Sequence, residues 1–363
     1  MTLHNNHITV LNGLRGFAAL YVLIHHARLL LAQPYKYGLA IVPEKFSFID
    51  KFLVYTFGLF KFGHEAVIIF FVLSGFVIHL KQAQVDFKYS KFSLNKFFKK
   101  RIIRLWPTLI TAMLLCVLFD AICFLYLKES DVFQKYNRIN FVQNILLIPN
   151  SADWGNNYPL WSLKHEWVFY LLYPCLLFLK TKQKLIPIII LSTTYLLYLL
   201  GIKIPILQNV AYTVLIWYLG VILADLYIKH NKRLKNVYPY FFVPILSYPL
   251  LDRNNIDTFP ILDLVFGIFT MGLICCLLYN RFNKLNLFFN KFKLIGLYSY
   301  SLYLLHWPIQ EFLQRIILKF SIHQTLPYHQ WYTILGTVVS FSIAYLIYLV
   351  TEKPSLKFLK SYK

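Results

Sequence analysis

Charged side chains are scarce in this chain, and that scarcity excludes a water-soluble globular protein. Only 14% of its 363 residues are charged, whereas a typical soluble domain contains about 25%. Acidic residues are scarcer than basic ones: the chain has 15 Asp and Glu and 37 Lys and Arg. Hydrophobic residues make up 58% of the chain and lie in long uninterrupted runs. Runs of about 18 or more apolar residues predict membrane-spanning helices.

Cysteines are few, and motifs for binding metal or nucleic acid are lacking. All five cysteines lie inside apolar runs without metal-ligand spacing, which predicts small buried side chains at Cys116, Cys123, Cys175, Cys275 and Cys276. The net charge of +22 comes with no nucleic-acid motif, so we predict no nucleic-acid partner, no metal and no permanently bound cofactor. Lys and Arg instead cluster between the apolar runs, where they can face the anionic headgroups of a lipid bilayer.

The apolar segments predict an all-α, polytopic membrane protein of about ten transmembrane helices, which form a single domain over residues 1–363. The predicted spans are 13–32, 63–80, 104–126, 161–179, 185–200, 207–228, 238–250, 259–280, 295–316 and 331–350. Segment 46–60 is apolar enough to form an additional interfacial or re-entrant helix. The first span contains Arg15 and His26 and lacks a basic segment ahead of it, so we interpret it as a retained helix rather than a signal peptide.

The distribution of Lys and Arg predicts the orientation of these helices. One set of alternate loops holds most of the basic residues, in segments 81–104, 180–184, 229–235, 281–293 and 353–363. Because basic loops stay on the cytoplasmic side, both termini are predicted to be cytoplasmic. We therefore expect a multi-pass protein of the bacterial inner membrane.

Ionisable side chains inside membrane spans are costly, which makes them candidates for function. Arg15 and His26 are eleven residues apart in the first span, which on an α-helix is about three turns plus 20° and places both on one face. We predict that His26 is a catalytic base and that Arg15 contributes to catalysis. The alternative is an Arg that extends to the headgroups and a His that hydrogen-bonds to a neighbouring helix.

Two acidic residues can serve as the partner of His26. Glu166 lies near the start of the fourth span, at about the depth predicted for His26, and Glu65 lies near the outer end of the second span. A carboxylate beside an imidazole orients the ring and raises its basicity, so we predict that Glu166 is catalytic and keep Glu65 as its rival. The alternative for Glu166 is a carboxylate in the headgroup zone, beside a belt of aromatic residues.

The basic segment before the third span contains a pair of arginines that suits a phosphate-bearing ligand. Arg101 and Arg104 are three residues apart and would share one face of a helix. Paired guanidinium groups favour bidentate phosphate contacts, and coenzyme A carries phosphates on the predicted cytoplasmic side. The alternative is charge that only fixes the membrane orientation, which is the better interpretation for the neighbouring lysines.

Three further polar residues in the predicted spans are weaker candidates. Ser74 precedes Gly75 in the second span, where we favour helix packing over a nucleophilic role. Tyr298 and His306 lie in the ninth span and could line a cavity, with His306 as a second proton handler. Hydrogen bonding between helices is the alternative for both.

Together these segments resemble the acyltransferase-3 family of membrane O-acyltransferases. In chain order the matching motifs are Arg-x10-His from Arg15, Phe-Phe-Val-Leu-Ser-Gly-Phe from Phe70, Arg-x-x-Arg from Arg101, Trp-Ser-Leu-x-x-Glu-x-x-Phe-Tyr from Trp161, Ser-Tyr-Ser-Leu-Tyr-Leu-Leu-His-Trp-Pro from Ser299, and Glu-Lys-Pro from Glu352. Each motif is short, but their shared order across the whole chain is specific.

The resemblance implies a ten-helix membrane domain that moves an acyl group, usually acetyl, to a hydroxyl of an envelope glycan. It favours as functional residues Arg15, His26, Arg101, Arg104 and Glu166. Many members carry a second acid directly after the first, where this chain has Trp167, and that departure leaves Glu166 as the favoured carboxylate. Members with an appended soluble esterase-like domain are longer, so we expect a standalone member.

We therefore predict an enzyme, an acyltransferase that transfers groups other than aminoacyl groups. It would move acetyl from acetyl-CoA to a hydroxyl of a free or lipid-linked glycan of lipopolysaccharide O-antigen, capsule or exopolysaccharide. An acyl-enzyme intermediate remains open. One alternative is a transporter or flippase for lipid-linked sugars, which should show inverted halves or broken helix pairs. The other is a non-catalytic membrane assembly subunit.

Overall fold

Helices account for nearly the whole architecture. The computed structural model describes residues 2–84, 92–202, 210–252, 258–321 and 324–361. The chain is 82% helical, and the described ranges contain no β-strand. This result confirms the all-α prediction. The first residues of the predicted span 207–228, and parts of the basic segments 81–104 and 353–363, lie outside the described residues.

Fifteen α-helices occur in these ranges. They are α1 Thr2–Leu30, α2 Phe48–Gly58, α3 Gly63–Ala83, α4 Leu94–Ile122, α5 Arg138–Ile145, α6 Leu160–Lys182, α7 Ile186–Leu199, α8 Val210–Lys229, α9 Asn231–Val237, α10 Phe259–Leu278, α11 Asn283–Asn290, α12 Lys293–Leu297, α13 Ser299–Phe320, α14 Trp331–Val350 and α15 Glu352–Ser361. Short 3₁₀ and π turns join several of them, and a longer 3₁₀ helix forms at Tyr238–Leu250.

Each predicted span overlaps one of these helices. Within the described residues, six segments are long and apolar enough to cross a membrane: Thr9–Leu39, Phe48–Ala83, Leu94–Leu127, Val210–Lys229, Phe259–Leu278 and Trp331–Leu359. The chain is therefore a multi-pass membrane protein. The count of about ten spans and the cytoplasmic location of both termini stay predictions.

The predicted span 238–250 forms a 3₁₀ helix, and its prolines explain why. Pro239, Pro244 and Pro249 have no amide hydrogen to donate, so an α-helical ladder of hydrogen bonds is repeatedly interrupted. A 3₁₀ helix rises about 2.0 Å per residue, so its 13 residues extend about 26 Å. That length approaches the thickness of about 30 Å of a bilayer's hydrocarbon core.

A helix also forms within segment 46–60, where the sequence predicted an interfacial or re-entrant element. Ser47 caps α2 by accepting a hydrogen bond from the amide of Asp50 at 3.1 Å. Apolar side chains of this helix are exposed, among them Phe48, Ile49 and Phe52. Exposed apolar side chains on one short helix suit a lipid contact, and the location of α2 at the interface stays a prediction.

Close contacts divide the chain into two units, each assembled from three separate stretches. Unit one consists of Met1–Arg15, Glu65–Lys96 and Ser162–Leu294; unit two consists of Gly16–His64, Phe97–Trp161 and Ile295–Lys363. The predicted single domain over residues 1–363 stays a prediction.

In unit one, two glycines let α3 and α8 pack backbone against backbone. A Cβ atom added at Gly75 would overlap the carbonyl oxygen of Trp217, and one added at Gly220 would overlap that of Val72. Small residues at a helix crossing are the usual means of close approach in membranes, where van der Waals packing holds helices together. This contact supports the packing interpretation of the Ser74-Gly75 pair.

In unit two, hydrogen bonds join the start of α13 to two other helices. Buried Glu352, the first residue of α15, accepts hydrogen bonds from the amide of Ser301 at 3.1 Å and from its hydroxyl at 2.6 Å. The Tyr300 hydroxyl donates to the Leu105 carbonyl of α4 at 2.9 Å. The Glu352 motif therefore has a structural role, because its carboxylate satisfies an amide at the helix start that has no partner within the helix.

Enlarging either glycine should destabilise unit one. We expect Gly75→Ala or Gly220→Ala to lower the free energy of unfolding by about 1–3 kcal/mol, because the added methyl group forces the two backbones apart. Unfolding of the purified protein in mixed detergent micelles measures this change. Gly58→Ala is the control, since no atom lies within 4 Å of a Cβ added there. Equal stability of all three variants would contradict the proposed packing.

Candidate active site

The first helix places Arg15 and His26 as the sequence predicted, on one continuous α-helix. Helix α1 runs from Thr2 to Leu30, so the two residues are separated by about 16 Å along one face. Arg15 belongs to unit one and His26 to unit two. The participation of Arg15 in catalysis stays a prediction.

His26 contacts His306, a residue 280 positions further along the chain. The Nδ1 atom of His26 lies 2.8 Å from the Nε2 atom of His306, within hydrogen-bond distance. The two rings are nearly parallel, with 12° between their planes and 5.1 Å between their centroids. The structure thus brings together two predicted site residues, a base and a second proton handler, within unit two.

A backbone carbonyl determines which nitrogen of each ring carries the proton. The Nδ1 atom of His306 lies 3.1 Å from the carbonyl oxygen of Leu302, which can only accept. Nδ1 of a neutral His306 therefore carries the hydrogen, and its Nε2 accepts. His26 must then donate from Nδ1 to His306, which leaves its own Nε2 with a free lone pair. A lone pair in this position is what a general base requires.

Two aromatic rings lie beside His26. The ring of Trp307 meets the imidazole edge to face at 4.9 Å, and that of Tyr158 does so at 6.2 Å. The Tyr158 and Trp307 rings also contact each other, with 5.3 Å between centroids. A tyrosine phenol is protonated at neutral pH, so that of Tyr158 can donate a hydrogen bond.

Three polar atoms on the segments that carry Tyr158 and His306 are buried and, within the described residues, make no hydrogen bond: Asn157 Oδ1, Trp307 Nε1 and Gln310 Oε1. The amide nitrogen of Asn157 donates to the Leu304 carbonyl at 3.1 Å, and that of Gln310 donates to the Leu23 carbonyl at 3.1 Å. Both amides are thereby oriented with their oxygens directed away from these carbonyls. We refer below to the histidine cluster, which consists of His26, Asn157, Tyr158, His306, Trp307 and Gln310.

Glu166 has hydrogen-bond partners within unit one. Its Oε1 atom accepts from the Ser74 hydroxyl at 2.8 Å and from the Tyr170 hydroxyl one turn along α6. The structure therefore brings together two candidates from the sequence, Ser74 and Glu166. It gives Ser74 a hydrogen-bonding role in addition to the packing of its neighbour Gly75.

The rival carboxylate, Glu65, also belongs to unit one, where it accepts a hydrogen bond from the Tyr248 hydroxyl of the 3₁₀ helix. His26 belongs to unit two. The predicted pairing of His26 with Glu166, and the rival pairing with Glu65, therefore stay predictions. Within the described residues His26 contacts His306, Trp307, Tyr158 and the adjacent His25 ring.

Arg101 and Arg104 lie on α4, so the helix assumed for this pair is present. Three residues of separation place them on one face, and both side chains are partly exposed. The Arg101 guanidinium also lies over the Phe97 ring at 5.0 Å. Both groups can reach a phosphate, and their binding of coenzyme A stays a prediction.

Tyr298 lies in an aromatic cluster with α14. Its ring contacts Tyr345 at 5.3 Å, Tyr348 at 5.5 Å and Phe341 at 5.7 Å between centroids, and its side chain is buried. Tyr298 therefore packs within an aromatic cluster, and its predicted roles, lining a cavity or hydrogen bonding between helices, stay predictions.

Sequence reasoning missed two buried ionic networks. In unit two, Asp120 accepts from Arg315 at 2.6 Å, from Lys135 at 3.0 Å and from the Tyr136 hydroxyl. Burial, and secondly the bond to Asp120, raises the pKa of Tyr136, so this phenol remains a donor. Asp120 and Arg315 lie inside predicted spans, so the rule that singled out His26 could have found them.

In unit one the second network centres on Asp225 of α8. This carboxylate pairs with the ammonium group of Lys180 and lies 3.2 Å from the Nε2 atom of His79. The Nδ1 atom of His79 is 2.9 Å from the Tyr173 hydroxyl.

Within the described residues no group of three or more His, Cys, Asp or Glu side chains could hold a metal ion.

The family assignment rests on a match across nearly the whole chain. Residues 8–349 match the acyltransferase-3 family, which is described as an acyltransferase domain. The chain belongs to the acyltransferase-3 family. Membership confirms the resemblance carried by the six sequence motifs, and it supports an acyl-transferring enzyme in a membrane.

A relative from Haemophilus influenzae, strain Rd, bears the description "Uncharacterized protein". It is 32% identical over 126 residues, which cover 32% of this chain and 49% of the relative. The chain thus spans about half the length of the curated relative that it matches. No solved structure matches the chain.

The proton positions in the histidine pair can be measured directly. We expect neutral His26 and His306 both to carry hydrogen on Nδ1, because the Leu302 carbonyl accepts from the second ring. Proton–nitrogen correlation spectra of protein labelled with ¹⁵N-histidine measure this, and His306→Gln identifies the signals of one ring by their loss. A hydrogen on Nε2 of neutral His26 would contradict the arrangement.

Proposed function

We propose that this chain is a membrane O-acyltransferase that moves acetyl from acetyl-CoA to a hydroxyl of a cell-envelope carbohydrate. The observation that carries the proposal is the hydrogen bond between His26 Nδ1 and His306 Nε2, from which a lone pair on His26 Nε2 follows, in a chain that belongs to an acyltransferase family. An alcohol is a weak nucleophile until a base removes its proton. His26 supplies that base.

The reaction begins when the acceptor hydroxyl gives its proton to His26 Nε2. The oxygen then attacks the thioester carbonyl carbon of the donor, and the carbon–sulfur bond breaks. The departing thiolate of coenzyme A takes the proton back from His26, so the base is regenerated. The products are one O-acetyl ester and free coenzyme A. Apolar surroundings restrict water, which would otherwise compete with the acceptor.

Arg101 and Arg104 are the residues proposed to hold the donor. Their guanidinium groups are always charged and suit bidentate contacts with phosphate oxygens. Acetyl-CoA is a substrate here and leaves as free coenzyme A. Both arginines lie near the start of α4, on the side of the bilayer that the charge pattern predicts to be cytoplasmic.

The proposed setting is the bacterial inner membrane, with a free or lipid-linked envelope glycan as acceptor. The family match favours acyl transfer over a transporter or flippase for lipid-linked sugars. A catalytic role for Glu166, whose carboxylate accepts a hydrogen bond from the Ser74 hydroxyl, is part of this proposal.

Removal of His26 should abolish the reaction. We expect His26→Ala to lower acetyl transfer by about 10²–10⁴-fold, because the transfer of the acceptor proton is lost. Mass spectrometry of envelope polysaccharides, from cells with and without the gene, measures one acetyl group per modified sugar. His25→Gln is the matched control, since His25 hydrogen-bonds instead to the Phe60 carbonyl at 2.7 Å. Full transfer by His26→Ala at normal membrane abundance would refute the assigned base.

Loss of one arginine should weaken donor binding more than turnover. We expect Arg104→Gln to raise the KM for acetyl-CoA about tenfold, because the loss of one hydrogen bond to a charged group weakens binding by about that factor. The change in kcat should be smaller. Steady-state kinetics of the purified enzyme measure both constants. Lys99→Gln on the same helix is the control, because that charge is attributed to membrane orientation. An unchanged KM in Arg104→Gln would remove this residue from the donor site.

A further inference from the structure

A cavity of about 550 Å³ lies in unit one, beside the start of the 3₁₀ helix and the end of α10. Its volume is within the range of small-molecule sites. The lining residues that the structure describes include no acid. Two basic side chains line the cavity together with aromatic rings: Lys235, Arg281, Tyr238, Phe242, Tyr279 and Phe282. Basic groups beside apolar rings suit a ligand that joins an anion to an apolar body.

Three hydrogen-bond donors line this cavity. The ammonium group of Lys235 lies over the Tyr279 ring, 5.3 Å from its centroid. The Tyr279 hydroxyl is buried and makes no hydrogen bond within the described residues. Arg281 contributes an exposed guanidinium group. Because two of these donors carry a positive charge, a phosphate group is a suitable partner for them.

The sequence around the cavity is basic throughout. No Asp or Glu occurs in residues 226–251 or 264–310. The same two stretches contain Lys229, Lys232, Arg233, Lys235, Arg281, Lys284, Lys291 and Lys293. Both basic segments belong to the loops that the charge pattern predicts to face the cytoplasm. Basic pockets on that side of a membrane protein are suited to the headgroups of anionic lipids.

Hydrogen bonds at the end of α10 fix the backbone that carries Arg281. Asn280 adopts a left-handed conformation with a φ of +48°. The Arg281 amide donates to the Cys276 carbonyl at 3.0 Å, and the Asn280 amide donates to the Leu277 carbonyl at 3.2 Å. This pair of bonds is the Schellman motif, which satisfies carbonyls at a helix end. The backbone of this wall is therefore ordered before a ligand binds, which lowers the cost of binding.

An apolar ridge follows the 3₁₀ helix away from the cavity. Three residues per turn place every third side chain in one straight column. The column formed by Tyr240, Val243, Leu246 and Pro249 is exposed throughout, and we call it the apolar ridge. At about 2.0 Å per residue it extends about 18 Å. That length is close to the thickness of about 15 Å of the hydrocarbon core in one leaflet.

Ring contacts show that the 3₁₀ helix packs antiparallel to α10. The Tyr238 and Tyr279 rings are 5.7 Å apart, and the Tyr248 and Phe266 rings are 6.5 Å apart, between centroids. The start of the 3₁₀ helix therefore lies at the end of α10, and the two helices run in opposite directions from there. This order places the basic cavity at one end of the apolar ridge. A phospholipid has the same arrangement, with a charged headgroup joined to an extended apolar chain.

We propose that unit one binds an anionic phospholipid, whose phosphate lies in the cavity with Lys235, Tyr279 and Arg281 and whose acyl chain lies along the apolar ridge. A free phosphate or a nucleotide would contact the cavity but would leave the ridge unused. The combination of both surfaces therefore favours a lipid. The inference concerns unit one alone and does not rest on the proposed acyl transfer.

Lipid titration followed by native mass spectrometry tests this site. The probe is phosphatidylglycerol, added to delipidated full-length protein in a neutral detergent, and phosphatidylcholine is the comparison lipid without net charge. We expect the double variant Lys235→Gln/Arg281→Gln to weaken phosphatidylglycerol binding about thirtyfold, because two basic contacts with the headgroup are lost. The matched control is Lys232→Gln/Lys284→Gln, which removes the same charge from exposed side chains that do not line the cavity. Its binding should change less than about threefold.

A second variant tests the hydroxyl without changing the charge. We expect Tyr279→Phe to weaken phosphatidylglycerol binding about fivefold, because the ring is kept and one hydrogen bond is lost. Tyr126→Phe, the same change at an exposed tyrosine of unit two, should leave binding unchanged. Thermal unfolding of each purified variant shows whether it is folded. If the double variant does not fold, Tyr279→Phe decides the test.

Competition experiments distinguish the lipid from other sources of phosphate. Glycerol phosphate and acetyl-CoA, at the concentration of the lipid, should not displace phosphatidylglycerol. Displacement by glycerol phosphate would overturn the proposal, because the ridge would then contribute nothing. Displacement by acetyl-CoA would also overturn it, because the cavity would then bind the acyl donor. Equal binding of phosphatidylglycerol by the cavity variants and their controls, or equal affinity for phosphatidylcholine, would likewise overturn it.

Discussion

The carbonyl oxygen of Leu302 can accept a hydrogen bond but cannot donate one, and the chemistry proposed for unit two depends on that constraint. It places a hydrogen on Nδ1 of neutral His306, and through the second ring it leaves Nε2 of His26 with a lone pair. Both hydrogen bonds, from His306 to Leu302 and from His26 to His306, form between uncharged groups. That matters in apolar surroundings, where an unpaired carboxylate costs several kcal/mol and a neutral imidazole costs far less.

In apolar surroundings, polar groups whose hydrogen bonds are used within the fold can be distinguished from polar groups that keep bonding capacity. Asp120, Asp225 and Glu352 are held by two or more donors from their own unit, so their bonding capacity is used in maintaining the fold. If one of these carboxylates also bound a substrate, it would have to give up a hydrogen bond that holds the fold together. In the histidine cluster, Asn157 Oδ1 and Trp307 Nε1 keep capacity that the described residues do not use.

Hydropathy and charge were enough to predict the helical architecture, because a bilayer admits few alternatives for a long apolar segment. The 3₁₀ geometry at Tyr238–Leu250 follows from its spaced prolines, which are visible in the sequence but were outweighed by the hydropathy of the segment. Arg15 and His26 on one helix were predictable from periodicity alone. The pairing of His26 with His306 was not, since 280 residues separate them and no local pattern encodes that contact. Tyr158 also lacked a signal, because a tyrosine beside a span is ordinarily an interfacial anchor.

The composition of the histidine cluster also bears on whether acetyl passes through the enzyme covalently. A relay would need a nucleophile beside the base, and in the cluster that nucleophile could only be a histidine nitrogen or the Tyr158 hydroxyl, because it contains no serine, threonine or cysteine. Ser74 donates to Glu166 in unit one, and its neighbour Gly75 seats α3 against α8, so packing accounts for the position of this serine. A sugar hydroxyl at His26 Nε2 needs only the base already present. Direct attack on the thioester is therefore the simpler form of the proposed reaction, and an acyl-enzyme on His306 or Tyr158 is its alternative.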